Sequence, residues 1–249
     1  MMLLDVGNTA VKWAIQTGAG LSGQGCFVHR GKGLAALADE AWGALPTPSA
    51  MAVANVAGSE IEAETNAWVR RHWDIEPSYI KVTIAAAGIT NAYTVPDDLG
   101  VDRWAAMIAA WHQQQGAVCV VDCGSAITLD VVDASGMHQG GLIVPGVAMM
   151  RNSLSQNTAD IDILPDSQHQ SVNLLAKGTA TAIQNGAVYM ASAMVDRMVV
   201  DIMTETGGTL TTYITGGDAL EIQSLLRCEV INDPDLVLKG IAILIGEQT

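Results

Sequence analysis

Apolar residues in the first sixteen positions alternate with small or polar ones on both sides of a Gly-Asn-Thr triplet. Period-two alternation marks strands buried on one face, and the triplet marks a tight turn. The pattern predicts a strand over 2–6, a turn over 7–9, a strand over 11–16 and a third strand over 24–29. Past Gly33 the spacing changes to helical, so 34–45 is expected to be a helix, 50–56 a buried strand and 61–73 an amphipathic helix. A strand over 78–83 and a helix rich in Ala and Trp over 100–115 complete the first half.

After the Gln-Gln-Gln-Gly stretch at 113–116 the same order begins again. Strands are expected over 117–122, 126–132 and 138–144, with a turn over 123–125. Pro145 and Gly146 punctuate the entry to a helix running through 154. Residues 157–171 are polar and loop-like, and 172–205 reads as a long helical region. A strand over 210–215, a Gly216-Gly217 turn, a helix over 218–226, a strand over 229–232 and a helix over 236–246 follow.

The chain therefore carries an imperfect duplication. Asp5-Val6-Gly7-Asn8-Thr9 and Asp122-Cys123-Gly124-Ser125-Ala126 hold equivalent places, each an Asp at a strand end followed by a Gly that turns into the next strand. Strands followed by alternating helix and strand, done twice, imply two similar α/β domains, expected over 1–115 and 116–249. Ligands of such paired domains lie in the cleft between them, so the active site is expected there.

Composition changes this picture only by exclusion. Apolar residues are 49% of the 249 and charged residues 15%, a balance that favours a packed core over disorder. No apolar run reaches the roughly 18 residues that a membrane span needs. The first residues have no basic flank and meet Asp5 at once, unlike a signal peptide. A soluble, cytoplasmic protein is the expectation. The four cysteines form no CxxC pair, and Cys119 and Cys123 fall on one strand face as core residues. The five histidines are scattered, which argues against a zinc site. A net charge of −14 argues against a nucleic-acid partner but not against ATP, which is held by local amides, a metal ion and one or two cations.

The chemistry sits in the turns. A phosphate approaching a hairpin turn needs a residue without Cβ and small hydroxyl or amide donors, which Gly7, Asn8 and Thr9 supply. Asp5 is placed to hold a hydrated divalent cation, and Lys12 to reach a phosphate oxygen as a point charge. An ordinary hairpin turn containing Asn would show the same residues. No GxxxxGK followed by Ser or Thr occurs, and no GxGxxG leads from a strand into a helix, so the Walker and dinucleotide fingerprints are excluded. Asp122 and Ser125 repeat the arrangement in the second half, where Asp122 could equally cap its turn.

Gly100-Val101-Asp102-Arg103-Trp104 opens a helix. Phosphorylating an alcohol needs a carboxylate to orient the hydroxyl and take its proton, and gains from a nearby cation; Asp102 and Arg103 offer both. An N-capping Asp beside a surface Arg is the commoner origin of such a pair. Gly140 to Gly146 reads as a strand leading into a constrained turn. Gly178-Thr179-Ala180-Thr181 lies within a helix of small residues, and Gly216-Gly217-Asp218 suits packing against an adenine or ribose.

In order and spacing these motifs, with Thr128 and Asp130 beside the second turn, resemble type III pantothenate kinases of the acetate kinase/hexokinase/actin-like superfamily. The resemblance runs from Asp5 to Asp218 and implies duplicated actin-like, ribonuclease H-like domains with mixed sheets flanked by helices. It implies ATP, as its Mg²⁺ complex, over Asp5, Gly7, Asn8, Thr9, Lys12 and Ser125. Asp102 becomes the base acting on the primary hydroxyl of pantothenate, with Tyr93, Gly100, Val101, Asp102, Arg103 and Thr179 lining the pocket. Asp122 becomes the ligand of a monovalent cation, K⁺ or NH₄⁺, and a homodimer the expected state. Ser125 stands where the family commonly has Thr, which keeps the hydroxyl. Thr181 is a near neighbour that could replace Thr179. A regulatory accessory factor of the same fold, or a kinase for another small alcohol, are the alternatives.

Overall fold

The computed structural model describes residues 1–30, 32–157 and 175–247. Strands β1 (Met2–Val6), β2 (Ala10–Thr17) and β3 (Gly20–Val28) come first, then helix α1 (Leu34–Trp42), β4 (Met51–Asn55), α2 (Ser59–Trp73) and the short β5 (Ser78–Tyr79). A small hairpin, β6 (Ala85–Ala86) and β7 (Ile89–Thr90), and a 3₁₀ turn over Pro96–Asp98 lead to α3 (Val101–Gln114). The second series is β8 (Val118–Cys123), β9 (Ala126–Val132), β10 (His138–Pro145), α4 (Val147–Asn157), α5 (Thr179–Thr206), β11 (Thr211–Thr215), α6 (Ala219–Gln223), β12 (Ile231–Asn232) and α7 (Leu236–Gly246).

The duplication is visible in the sheets. One runs β3-β2-β1-β4-β5 and the other β10-β9-β8-β11-β12. In the first, β1 pairs antiparallel with β2 and parallel with β4; in the second, β8 pairs antiparallel with β9 and parallel with β11. A hairpin joins the antiparallel partners directly, whereas each parallel partner needs a crossover that carries helices onto the sheet faces. The fold is α/β, with mixed sheets flanked by helices.

The first sheet packs one face on α1 and α2. Trp13, Trp42, Trp68 and Trp73 meet there with Phe27, Trp42 and Trp68 packing edge to face at 5.4 Å between centroids. Large rings cover much apolar area with few rotatable bonds, which suits a layer under short strands. The second core sets the β8, β9 and β11 residues Val121, Ile127, Leu129 and Ile214 against Val188, Ala191, Val195 and Val199 of α5. Those helix positions recur at three- and four-residue intervals, one stripe of the helix. Cys119 and Cys123 are wholly buried, as their spacing implies.

Several bounds differ from the sequence expectation. The helix expected from 172 begins at Thr179, after an extended Gly178 at φ −144° and ψ 145°. Small residues run through that boundary, so periodicity has nothing large by which to register the start. Gly178-Thr179 thus opens the helix instead of lying within it. The loop expected over 157–171 and the helix over 172–174 lie outside the described residues, save Asn157, which ends α4. The strand expected over 78–83 shrinks to Ser78–Tyr79. Beyond Ile80 the chain leaves β4 and closes the β6–β7 hairpin, where the Asn91 amide donates to Ile84 O at 2.8 Å.

The chain divides into two compact units: Met1–Gln115 with Ser135–His138 and Asp235–Thr249, and Gly116–Ala134 with Gln139–Pro234. Sequence order assigns 235–249 to the second half, but α7 packs on α3 in the first unit. At their crossing a Cβ on Gly240 would lie 1.9 Å from Ala105 O, so the two backbones touch. Replacing Gly240 by Ala raises intrinsic helix propensity by about 1 kcal/mol. Overpacking against backbone costs about 1–3 kcal/mol or more and prevails. Gly240→Ala is expected to lower Tm by up to about 8 °C, measured by thermal denaturation.

Candidate active site

Asp5 is the fourth residue of β1 and the strand's single position that is not fully buried. Across the ladder it stands opposite Lys12, which in turn stands opposite Cys26 of β3. Residues directly opposite in a sheet share a face, so carboxylate, ammonium and thiol form one row. The turn beyond is closed by the Gly7 amide donating to Ala10 O at 3.0 Å. His29, 5% exposed, braces it from behind: its amide donates to Thr9 O at 3.0 Å, and its Nε2 lies 2.8 Å from Gly7 O. A carbonyl only accepts, so that nitrogen carries the proton. With the carbonyls of Gly7 and Thr9 held on His29, and Asn8 exposed, the turn fits an anion.

A second group forms at the start of α3. Gly100 caps the helix and Asp102 lies in its first turn, where the helix N-terminus favours negative charge. The Arg103 amide donates to Asp102 Oδ1 at 2.7 Å. A Cβ on Gly100 would stand 2.5 Å from that same oxygen, so only glycine admits the carboxylate in this position. Arg103 is 6% exposed, and its Nη1 donates to the Tyr93 hydroxyl at 3.2 Å. A guanidinium this buried needs such partners, because an uncompensated buried charge is costly. Tyr93, Gly100, Val101, Asp102 and Arg103 are therefore brought together.

The third group lies in the second unit. Asp122 precedes the β8–β9 turn, which closes when the Gly124 amide donates to Ala126 O at 3.0 Å. Its cross-strand partner is Thr128, so a hydroxyl-bearing residue takes the place that Lys12 holds beside Asp5. Gly216, at φ +98°, carries the β11–α6 turn against Asp122. A Cβ there would come within 2.5 Å of Asp122 Oδ1, and the Asp218 amide donates to Cys123 O at 2.9 Å. Burial, then the charges of Asp122 and Asp218, push the Cys123 thiol up, so it stays protonated. Ser125 is exposed, and its carbonyl accepts from the Gly146 amide at 3.1 Å, tying the turn to the corner before α4. Thr179 is exposed at the first position of α5.

A model of the type III pantothenate kinase family matches residues 1–201. The type III pantothenate kinase of Nitrosococcus oceani is 41% identical over 247 residues, 97% of this chain and 92% of that one. That of Alcanivorax borkumensis is 34% identical over 257 residues, covering 100% and 99%. The chain belongs to the type III pantothenate kinase family. Solved structures extend the likeness in fold alone. A protein described as a Baf family transcriptional activator from Campylobacter jejuni superposes with TM-score 0.61 at 19% identity over 100% of this chain and 98% of its own. One described as a 2-dehydro-3-deoxygalactonokinase from Sinorhizobium meliloti gives 0.55 at 11% over 99% and 98%. The fold is that of the actin-like ATPases and sugar kinases.

Two residues of this family member escape a reading of the sequence. His29 and His138 are isolated histidines in strand-like stretches, and only the folded chain shows that each touches a candidate site residue. No spacing signal could have found them. Among the described residues no three or more His, Cys, Asp or Glu side chains converge as a metal site.

Gly100→Ala should displace the Asp102 carboxylate and lower kcat by about 10- to 100-fold with the KM for ATP unchanged, as read from steady-state kinetics. The thiols should also separate. Cys26 is exposed, with its thiol raised chiefly by burial of the sulfur's surroundings, then lowered in part by Lys12. Thiolate is the reactive form, so a raised pKa moves the onset of labelling to higher pH. Iodoacetamide is expected to modify Cys26 first, at a rate that climbs above neutrality. Cys119 and Cys123 should react only after unfolding, which peptide mass mapping would show.

Proposed function

We propose that the chain transfers the γ-phosphoryl group of ATP to the primary hydroxyl of pantothenate. The products are 4′-phosphopantothenate and ADP, which makes this the first step of coenzyme A biosynthesis. Membership of the family supports the reaction class. The observation that carries the site assignment is the α3 N-terminus, where a half-buried carboxylate and a buried guanidinium share one helical turn beside Tyr93.

Asp102 orients the acceptor hydroxyl and takes its proton as the oxygen bonds to phosphorus and the bond to the bridging oxygen of ADP breaks. In a loose transition state that transfer comes late, so a carboxylate suffices as base. Arg103, held by Tyr93, steadies the acceptor, Gly100 and Val101 line its pocket, and Thr179 at the start of α5 would be a further pantothenate-binding residue. Gly7, Asn8, Thr9 and Lys12 receive the ATP phosphates, and Ser125 is the ATP-binding candidate of the second turn. Asp5 would hold the divalent ion, which supplies charge neutralisation on the phosphates.

Asp122 would hold K⁺ or NH₄⁺. Its neighbours support that choice, since Thr128 stands opposite it in the ladder and the Gly216 turn lies against its Oδ1, whereas Lys12 stands opposite Asp5. A homodimer and a cytoplasmic location complete the proposal. No helix among the described residues is long and apolar enough to cross a membrane, and a net charge of −14 weighs against a nucleic-acid partner.

ADP release by the purified chain should depend on pantothenate with MgATP and rise with K⁺ or NH₄⁺. Asp102→Asn is expected to lower turnover by about 10²- to 10⁴-fold while ATP binding, followed by calorimetry, persists. Turnover in Asp102→Asn near that of the wild type would remove Asp102 from the role. Intact ATP binding without turnover on pantothenate under either salt would favour a regulatory protein or another alcohol.

A further inference from the structure

We propose that His138 is a positioning residue of the acceptor pocket, holding the Tyr93 ring so that Tyr93 in turn holds Arg103. The inference rests on reading the α3 N-terminus as that pocket. His138 opens β10, far from Tyr93 in sequence, yet the segment Ser135–His138 belongs to the first compact unit. Two backbone contacts bring it there: the Thr90 amide donates to Gly136 O at 2.8 Å, and Thr90 and Met137 form an isolated parallel bridge. The segment before β10 thus lies along the β6–β7 hairpin.

His138 is then 1% exposed and meets two consecutive residues in two ways. Its ring stacks on Tyr93 with centroids 5.9 Å apart and planes 9° from parallel, an offset stack. Its Nδ1 lies 3.4 Å from the Ala92 amide. An amide donates, so Nδ1 accepts, and this long hydrogen bond orients the imidazole by the backbone next to Tyr93. An aliphatic residue could fill the space but would offer no ring to stack on Tyr93. Tyr93 itself is on a loop between β7 and the 3₁₀ turn, and its amide donates to Asn91 Oδ1 at 2.9 Å. One ring face is fixed by His138, and the hydroxyl accepts from Arg103. A half-exposed tyrosine without that stack would exchange rotamers, and the Arg103 guanidinium would lose a fixed partner.

The experiment is steady-state kinetics on the full chain with both substrates varied, for wild type, His138→Ala, His138→Phe, Tyr93→Ala and the His138→Ala/Tyr93→Ala double variant. His138→Ala is expected to raise the KM for pantothenate about 3- to 10-fold, leaving the KM for ATP unchanged. His138→Phe, which keeps a stacking ring, should recover most of the loss, and adding His138→Ala to Tyr93→Ala should cost nothing more. An unmoved pantothenate KM in an active His138→Ala overturns the role. So do equal losses towards both substrates in His138→Phe, or effects that add in the double variant. Wild-type chain that turns over no pantothenate overturns the acceptor reading, and this role with it, which separates the two failures.

Discussion

Each unit is built round one central strand that has an antiparallel partner on one side and a parallel partner on the other. A strand so placed has no free edge, and the crossover to its parallel neighbour lays helices over the sheet. Its residues are consequently apolar and buried until the strand approaches its C-terminal end. Asp5 in β1, and Asp122 in β8, stand where that cover ends. Polar chemistry in this fold is confined to strand ends and the turns that follow, since nowhere else along the central strand does a carboxylate find either water or a cation. Ligand sites of open α/β sheets fall outside strand C-termini for the same reason.

The two halves use that shared geometry differently. Opposite Asp5 the ladder supplies Lys12, and behind the turn His29 gathers the carbonyls of Gly7 and Thr9. Opposite Asp122 it supplies Thr128, and a second turn closes in at Gly216, whose positive φ and absent side chain permit the approach. At equivalent places in the repeated frame, one carboxylate thus has a lysine across the ladder and the other a threonine.

The α3 helix joins helix packing to the candidate site. Its first turn holds Asp102 and Arg103, while further along Ala105 lies against Gly240 of α7 with backbone in contact. Helix packing that close leaves little freedom to slide, so the carboxylate at the helix start is held by contacts well away from the chemistry. On the other side Tyr93 and His138 continue the same support through a ring stack. Preorganised groups cost little reorganisation, which is the advantage of such bracing.

The elements and the duplication were legible in the sequence because hydrophobic periodicity and glycine punctuation act locally. Asp5, Gly7, Asp102 and Asp122 could be singled out because acidic residues next to glycines at strand and helix ends are themselves local patterns. Bounds failed where local signals fade, as at the small-residue start of α5 and the short edge strand β5. The sequence by itself determined the α/β class and the repeated strand–turn motifs, and it marked the candidate residues for the chemistry. Only the tertiary structure decided that α7 closes the first unit, that Gly216 packs on Asp122, and that His29 and His138 brace site residues. Those contacts join positions far apart in the chain, and their partners are chosen by backbone approach and burial, which no spacing along a single sequence encodes.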